Sequence, residues 1–289
     1  MNRAELSQEN IKTKEYTSFT MEKKFYYMLA PIEGMTDSSF RTLCHGADLT
    51  FTELISLEAL AKNNESAMTR AKLHDSTPTA IQIIGQKEQS LSKYLSRFSP
   101  EKGFKGFNLN LGCPDPRFIK EGLGCAMIKR VTKIKRMVNI IKDQGYETSI
   151  KMRLGLNKYE KDKKAYLNLI NNVDAEFFVV HARHGKQTYA DKADWSVFPE
   201  CVKTGKNIIA NGDIKTKEDI EKMKDCKGVM IGREAIRNPL IFAELKGLKT
   251  PPPSKIKEEY EKLLKERNAH PKYQKNIFKH FANVKSETG

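Results

Sequence analysis

Short apolar runs alternate with amphipathic stretches from Phe25 onward, and this alternation predicts the fold. Most of the runs are rich in the β-branched and aromatic residues that are typical of buried strands. They cover residues 25–30, 48–53, 79–84, 106–111, 148–152, 176–181, 207–211 and 228–232. Eight strands alternating with helices indicate parallel βαβ units and an α/β fold, the (β/α)8 TIM barrel. An open doubly wound sheet is the alternative, but APIEGMTD (30–37), after the first strand, is no dinucleotide-binding fingerprint.

The stretches between the runs have helical spacing. Residues 91–98, 131–145 and 164–170 place apolar side chains three and four positions apart. The stretch 216–225 starts with Thr216 as the predicted N-cap and continues with an acidic first turn.

The chain divides into three predicted segments. Three prolines at 251–253 interrupt the alternation, and the residues after them look helical and polar. We therefore expect an N-terminal extension over 1–24, a barrel over 25–247 and a short helical extension over 248–289. The N-terminal extension is expected either to cover the bottom of the barrel or to be disordered.

The charge of the chain predicts a polyanionic partner. The 289 residues include 51 Lys+Arg against 36 Asp+Glu, a formal net charge of +15. Nucleic acid is the polyanion that best fits such a surplus, although a solvated basic surface would look the same. From Lys246 onward, eleven Lys+Arg oppose five Glu, so the last segment carries a large part of the excess.

Several classes of protein are disfavoured. No window reaches the roughly 20 apolar residues that a membrane span needs, and the polar N-terminus lacks the apolar core of a signal peptide. The five cysteines are scattered and form no CxxC pair, which argues against a zinc ribbon or a disulfide framework. We expect a cytoplasmic protein with no metal and no membrane partner.

Polar residues stand at nearly every predicted strand end, and the active site of a TIM barrel lies at the C-terminal ends of its strands. In chain order the strand ends carry Ala30–Pro31, Glu53, Gln82, Asn110 with Cys113, Lys151 with Arg153, His181 with Arg183, Asn211–Asp213 and Gly232–Arg233. Any one of them could be a buried structural group. The prediction of a site depends on the whole set, which a purely structural barrel would not need.

The turns after the last two strands predict a phosphate site. NGD (211–213) and IGR (231–233) each contain a glycine, and barrels often bind phosphate here through backbone N–H groups. Glycine permits close approach of the backbone, and Arg233 can add a charge-assisted hydrogen bond. We therefore expect a phosphorylated substrate or cofactor, with plain tight turns as the alternative.

Cys113 and a group of cations are the remaining candidates. Cys113 precedes a Gly-rich loop and can be a nucleophile, a proton donor or a small buried apolar residue. Lys151 and Arg153 lie two residues apart, so both side chains point to the same side of the sheet, and His181 and Arg183 repeat the pattern. Such cations would hold the N1–C2=O region of a reduced flavin or a second phosphate.

Six segments in this order resemble the motifs of the tRNA-dihydrouridine synthases. They are APIEGMTDSSFR, NLGCPDPRFIKEGLG, IKMRLG, VHARHGKQTYADKADW, IIANGDI and VMIGREAIRNP. The resemblance runs from about Met28 to Pro239. It implies a flavin-dependent barrel followed by a helical domain that grips tRNA, with FMN as cofactor and NADPH or NADH as its reductant. It also implies that the target uridine is flipped into the pocket.

The resemblance further implies residue roles. Hydride would pass from flavin N5 to uracil C6, Cys113 would protonate C5, and Asn110 would hydrogen-bond the uracil edge. Arg153 and Arg183 would contact the substrate. The implied FMN-binding residues are Pro31, Ile32, Glu33, Gln82, Lys151, His181, Asn211, Gly212, Asp213, Gly232 and Arg233.

Two departures from the family pattern stand out. Glu33 occupies a position that is usually small, where its carboxylate would disfavour an anionic reduced flavin unless it points away. The C-terminal segment is shorter than the helical domain common in bacterial members. We expect a monomer.

Two other functions remain open. One is a small-molecule flavin enzyme resembling dihydroorotate dehydrogenase, which would not need the +15 charge. The other is a non-catalytic RNA-binding barrel, which would not need Cys113, Lys151, His181 and Arg233 together.

Overall fold

Parallel strands form one sheet that curves round on itself in the computed structural model, which describes residues 16–281. The strands are β1 (Tyr26–Leu29), β2 (Thr50–Phe51), β3 (Ile55–Ser56), β4 (Thr79–Ile84), β5 (Phe104–Leu111), β6 (Thr148–Met152), β7 (Phe178–His181), β8 (Ile208–Asn211) and β9 (Gly228–Ile231). Their order is β1-β9-β8-β7-β6-β5-β4-β2, and β3 also pairs with β4. Strands β2 and β3 therefore share one of eight barrel positions.

The ring closes between its first two positions. Met28 forms a parallel bridge with Leu49, and the Leu29 N–H donates to the Leu49 carbonyl over 3.0 Å. The predicted TIM barrel is thereby confirmed, and the open doubly wound sheet was the wrong alternative. The run predicted over 48–53 contains only β2, because the chain leaves the sheet at residues 52–54 before β3 begins.

Helices cover the outside of the sheet. They are α1 (Ser38–Leu43), α2 (Leu57–Ala61), α3 (Glu65–Ala71), α4 (Glu88–Leu95), α5 (Pro116–Lys120), α6 (Val131–Asp143), α7 (Lys158–Asp162), α8 (Ala165–Asn172), α9 (Phe198–Val202), α10 (Lys217–Glu221), α11 (Arg233–Arg237), α12 (Ile241–Leu245), α13 (Pro253–Glu266) and α14 (Lys272–Phe281). Short 3-10 turns cover 124–127 and 195–197. Thr216 caps α10 in a capping box with Asp219, as predicted, but α10 ends at Glu221, earlier than expected.

The N-terminal residues that the structure describes cover the bottom of the barrel. Phe19 packs edge-on against Tyr26 and Phe177, with ring centroids 5.4 and 5.9 Å away. Met21 joins the same cluster of apolar side chains inside the barrel. This outcome matches the first of the two expectations for the extension; its residues 1–15 lie outside the described part of the chain.

Helices α13 and α14 pack on the barrel. Their buried side chains include Ile256, Tyr260 and Ile277, and α13 lies against α1. Arg267 donates to the Asp75 carboxylate over 2.7 Å, which adds an ion pair to the apolar contact. No helix within residues 16–281 is both long and apolar enough to cross a membrane.

Candidate active site

A cleft opens at the C-terminal ends of the strands and collects most of the predicted residues. Among those implied to bind FMN, the cleft is lined by Pro31, Ile32, Lys151, His181, Asn211, Gly212, Asp213, Gly232 and Arg233. Gln82 and Glu33 do not line this cleft. The strand-end argument from the sequence thus grouped residues as far apart as Pro31 and Arg233, which the structure places in one cleft.

The turn at Gly212 requires a glycine. Its φ is +117°, and a Cβ there would lie 3.0 Å from both the Cβ of Ala193 and the Cδ2 of His181. The Trp195 indole N–H donates to the Gly212 carbonyl over 2.8 Å, which fixes the turn against the loop after β7. The bare backbone at Gly212 therefore packs directly against His181 and Ala193.

Asp213 joins the two arginines beside this turn. Its carboxylate accepts hydrogen bonds from Arg183 (2.6 and 2.8 Å), Arg233 (2.8 Å) and the Ala193 N–H (2.9 Å). Burial acts to raise the pKa of Asp213, but the Arg183 hydrogen bond, the Ala193 N–H and both positive charges outweigh it and hold the pKa below its usual value. The carboxylate therefore orients the Arg233 guanidinium at the wall of the cleft.

Arg183 and Arg153 are buried and held by the protein itself. Arg183 is 1% exposed and also donates from Nε to the Asp191 carbonyl over 2.8 Å. Arg153 is 4% exposed and donates from Nη1 to the carbonyls of His184 and Gln187 over 2.8 and 2.9 Å. Both side chains thus hold the loop after β7, and the implied substrate contact of each stays a prediction.

His181 is neutral at physiological pH. Burial lowers its pKa well below the usual value, and the positive charges of Lys151, Arg153, Arg183 and Arg233 lower it further. The Arg183 Nη1 lies 3.1 Å from the His181 Nε2. Because a guanidinium only donates, Nε2 must accept, and the imidazole proton is on Nδ1. We call His181, Arg183, Asp213 and Arg233 the charged cluster.

Lys151 lies beside the charged cluster. Its Nζ is 3.3 Å from the Asn211 Oδ1. Burial, assisted by the charge of Arg153, lowers the pKa of Lys151 to about 8. An anion in the cleft would favour the protonated amine.

Neutral amides and a hydroxyl lie on β4, β5 and β6, across the barrel from the charged cluster. The Gln82 Nε2 donates to Asn108 over 2.7 Å, Asn108 donates to the Ser149 hydroxyl over 2.8 Å, and the Asn110 Nδ2 donates to Gln82 over 2.8 Å. We call Gln82, Asn108, Asn110 and Ser149 the amide network. Asn108 was missed by the sequence argument, although it lies two residues before Asn110 and therefore on the same face of β5.

Asn110 also fixes the backbone of Cys113. The Asn110 Oδ1 accepts from the N–H groups of Gly112 and Cys113 over 3.1 and 2.9 Å. Gly124, with φ +58°, folds back so closely that a Cβ there would lie 2.3 Å from the Cys113 carbonyl oxygen. Burial raises the pKa of the Cys113 thiol, so the protonated form dominates at neutral pH. This state suits a proton donor better than a nucleophile.

The Glu33 side chain turns away from the cleft. Its carboxylate is paired with Arg70, and the side chain is 54% exposed. This arrangement agrees with the second of the two expectations, and an FMN contact through the Glu33 backbone stays a prediction.

Tyr189 is a cleft residue that the sequence argument left out. Its ring lies 4.4 Å from the Arg233 guanidinium and is nearly parallel to the His181 ring, with centroids 6.3 Å apart. The side chain is nevertheless 62% exposed. Its position within the TYADKADW segment was the available signal, because that segment directly follows the predicted His181–Arg183 strand end.

Comparisons with known proteins add a family and a fold. A family model described as dihydrouridine synthase (Dus) matches residues 28–287. A protein named probable tRNA-dihydrouridine synthase from Aquifex aeolicus (strain VF5) is 32% identical, covering 78% of this chain and 73% of that protein. One of the same name from Staphylococcus aureus (strain MRSA252) is 29% identical, covering 90% and 82%.

Two solved structures share the barrel. The old yellow enzyme from Trypanosoma cruzi aligns with a TM-score of 0.50 and 12% identity, covering 80% of this chain and 91% of that one. Morphinone reductase in complex with tetrahydroNAD aligns with a TM-score of 0.51 and 11% identity, covering 80% and 90%. At such low identity these structures support the fold alone.

Proposed function

Because the chain belongs to the dihydrouridine synthase family, we propose that it reduces uridines in tRNA to 5,6-dihydrouridine, with FMN as cofactor and NADPH or NADH as reductant. The observation that carries this proposal is the cleft in which Lys151, His181 and Arg233 meet the two glycine turns. Cations and close backbone turns are what a phosphorylated, electron-accepting ring system needs.

The residues of the cleft fit FMN. A Cβ at Gly212 or Gly232 would lie 3.0 or 3.3 Å from neighbouring carbons, so a side chain at either turn would crowd the wall of the cleft. We assign the phosphate to these turns and Arg233, and the ring to Lys151 and His181. Bound FMN would supply the hydride that C6 of the uracil receives.

Cys113 is the proposed acid for C5. Its thiol is protonated at neutral pH, and Asn110 holds its backbone at the end of β5. Both Asn110 oxygen lone pairs and one of its amide hydrogens are already used within the protein. One N–H remains for the uracil edge. The amide network would thereby orient both the substrate and its proton donor.

Helix α14 supplies a surface for tRNA. Lys272, Lys275 and Lys279 are exposed and follow the i, i+3, i+7 spacing of one helix face. None of them pairs with a carboxylate of residues 16–281 within 4.0 Å, so their charge is available to RNA phosphates. We propose that the C-terminal extension contacts the RNA backbone with this face.

The test is a reconstituted reaction. Purified protein is incubated with FMN, unmodified tRNA transcripts and either NADPH or NADH, and dihydrouridine is measured by mass spectrometry of the digested nucleosides. We expect dihydrouridine in tRNA and no reaction with orotate or free uridine. A protein that acts on orotate but leaves tRNA unchanged would be the small-molecule enzyme instead.

A further inference from the structure

Gly34, in the loop after β1, is held at both of its peptide groups by residues distant in sequence. Its N–H donates to the Glu53 carboxylate, and its carbonyl accepts from the Asn276 Nδ2 over 2.9 Å. The same Glu53 carboxylate accepts from the Tyr273 hydroxyl. Tyr273 and Asn276 both lie on α14, so the C-terminal extension reaches into the mouth of the barrel.

Glu53 makes this attachment because of the break between β2 and β3. The chain leaves the sheet at residues 52–54, and the Glu53 side chain is 3% exposed. Burial raises its pKa, while the Tyr273 hydrogen bond and the charge of Arg70, 3.5 Å away, act in the opposite direction. A buried carboxylate is costly unless its partners stay in place. The buried Glu53 carboxylate therefore holds both the Gly34 N–H and the Tyr273 hydroxyl in place.

The contact between Asn276 and Gly34 is also tight. Gly34 has φ +74°, and a Cβ at this position would lie 3.1 Å from the Asn276 Nδ2. The conformation and the close approach both favour glycine. The Asn276 side chain consequently packs directly against the bare backbone of the loop at Gly34.

The loop that contains Gly34 is continuous with residues that line the cleft. The Ile32 carbonyl accepts from the N–H groups of Met35 and Thr36, each over 3.1 Å, and the Ile32 N–H donates to the Thr36 hydroxyl over 2.9 Å. Residues 32–36 thus form one closed turn that contains Gly34. Pro31 and Ile32 line the cleft, so what holds Gly34 also sets this wall.

We propose that Tyr273 and Asn276 are positioning residues for the cofactor: through Glu53 and Gly34, helix α14 sets the wall of the cleft formed by Pro31 and Ile32. The inference rests on the proposed function in taking FMN as the ligand. Affinity for FMN then depends on a helix outside the barrel, whose adjacent exposed face carries Lys272, Lys275 and Lys279.

The experiment compares FMN affinity in matched variants by fluorescence titration of the full-length apoprotein. Tyr273→Phe keeps the buried ring and loses one hydrogen bond, and Asn276→Ala loses the other. We expect each to weaken FMN binding several-fold, and the double variant about tenfold or more. Gln274→Ala, on the exposed side of α14, is the control and should bind FMN as the wild type does.

Two further variants separate positioning from general stability. Glu53→Gln keeps an oxygen for the Gly34 N–H and should retain FMN affinity, whereas Glu53→Ala should lose it. The melting temperature of each apoprotein is measured alongside, and titrations are run well below it. A merely structural role would lower that temperature and leave FMN affinity unchanged.

The outcomes are distinct. Wild-type FMN affinity in the folded Tyr273→Phe and Asn276→Ala variants overturns the inference and leaves the proposed function intact. A wild-type chain that binds no FMN overturns the proposed function and with it this role of α14. If Asn276→Ala does not fold, Tyr273→Phe and the Glu53→Gln and Glu53→Ala pair decide the result.

Discussion

The two sides of the barrel mouth are built from opposite kinds of polar groups. The amide network is neutral, and each of its members donates or accepts a hydrogen bond within it. The charged cluster contains two arginines that share one carboxylate, and its histidine is kept neutral by the surrounding cations. Neutral amides can recognise the edge of a base, whereas cations can hold a phosphate. Under the proposed function, Asn110 of the amide network would meet the base and the charged cluster would meet the FMN phosphate.

The largest effect is expected at Cys113, where a substitution should lower activity without changing FMN binding. Cys113→Ala removes the proposed proton donor next to the amide network but leaves the charged cluster intact. We expect FMN binding to be unchanged and dihydrouridine formation to fall by about 10²- to 10⁴-fold, the usual range for a general acid. Single-turnover oxidation of the reduced flavin by tRNA measures this step.

Cys125→Ala is the matched control for that variant. Burial raises the pKa of Cys125 to about 11, and its side chain is fully buried, so it is expected to have a packing role. Its turnover should remain near that of the wild type. Equal rates of dihydrouridine formation in the Cys113→Ala variant and the wild type would contradict the assignment of Cys113 as the acid.

Arg233→Ala tests the charged cluster. The variant loses a charge-assisted hydrogen bond to the proposed phosphate, so FMN affinity should fall by about 10- to 100-fold. Arg237→Ala is the control, because Arg237 lies on the same helix, pairs with Glu234 and does not line the cleft. Full flavin occupancy in Arg233→Ala after dialysis would contradict the phosphate assignment.

The pKa of Lys151 predicts a pH dependence of FMN binding. Since the pKa is lowered to about 8, the amine is protonated below that pH and loses its charge above it. Binding of an anion above pH 8 then requires uptake of a proton, so the dissociation constant for FMN should rise about fivefold between pH 8 and 9. Titrations of Lys151→Met should show no such rise, and an equal slope in this variant would refute the assignment.

The smallest effect is expected for tRNA binding by the exposed lysines of α14, which belong to neither the amide network nor the charged cluster. Lys275→Gln should weaken tRNA binding a few-fold and reduce the slope of log affinity against log salt by about 1, with FMN affinity unchanged. Lys102→Gln, before the N-terminal end of β5, is the control at the opposite end of the barrel. Identical salt slopes for both variants would place the RNA contacts elsewhere.

The fold was largely predictable because buried parallel strands are short apolar runs with clear boundaries. The missed division into β2 and β3 has a local cause that composition does not show. Thr52 turns its hydroxyl to the Gln82 N–H over 2.9 Å, and Glu53 turns to Gly34 and Tyr273. A pattern of apolar positions cannot reveal partners that lie 19 to 220 residues away.

The same limit applies within the site. Strand-end logic placed Arg183, Asp213 and Arg233 in one neighbourhood, but it assigned each of them to a ligand. In the structure, Asp213 pairs with both arginines, a contact that the strand-end argument did not predict. Likewise, the basic surplus drew attention to the charge of the C-terminal segment, whereas Tyr273 and Asn276, which are uncharged, attach it to the barrel.

The attachment at Gly34 has a consequence for the folding of the chain. Its two hydrogen bonds from α14 join residues that are 220 and 242 positions apart, a wider separation than that between any two neighbouring barrel strands, including β1 and β9. Contacts between such distant segments form late, because the loop entropy is lost before the contact contributes. We therefore expect the cleft wall to open by local unfolding before the barrel does, and its amide protons to exchange first with solvent.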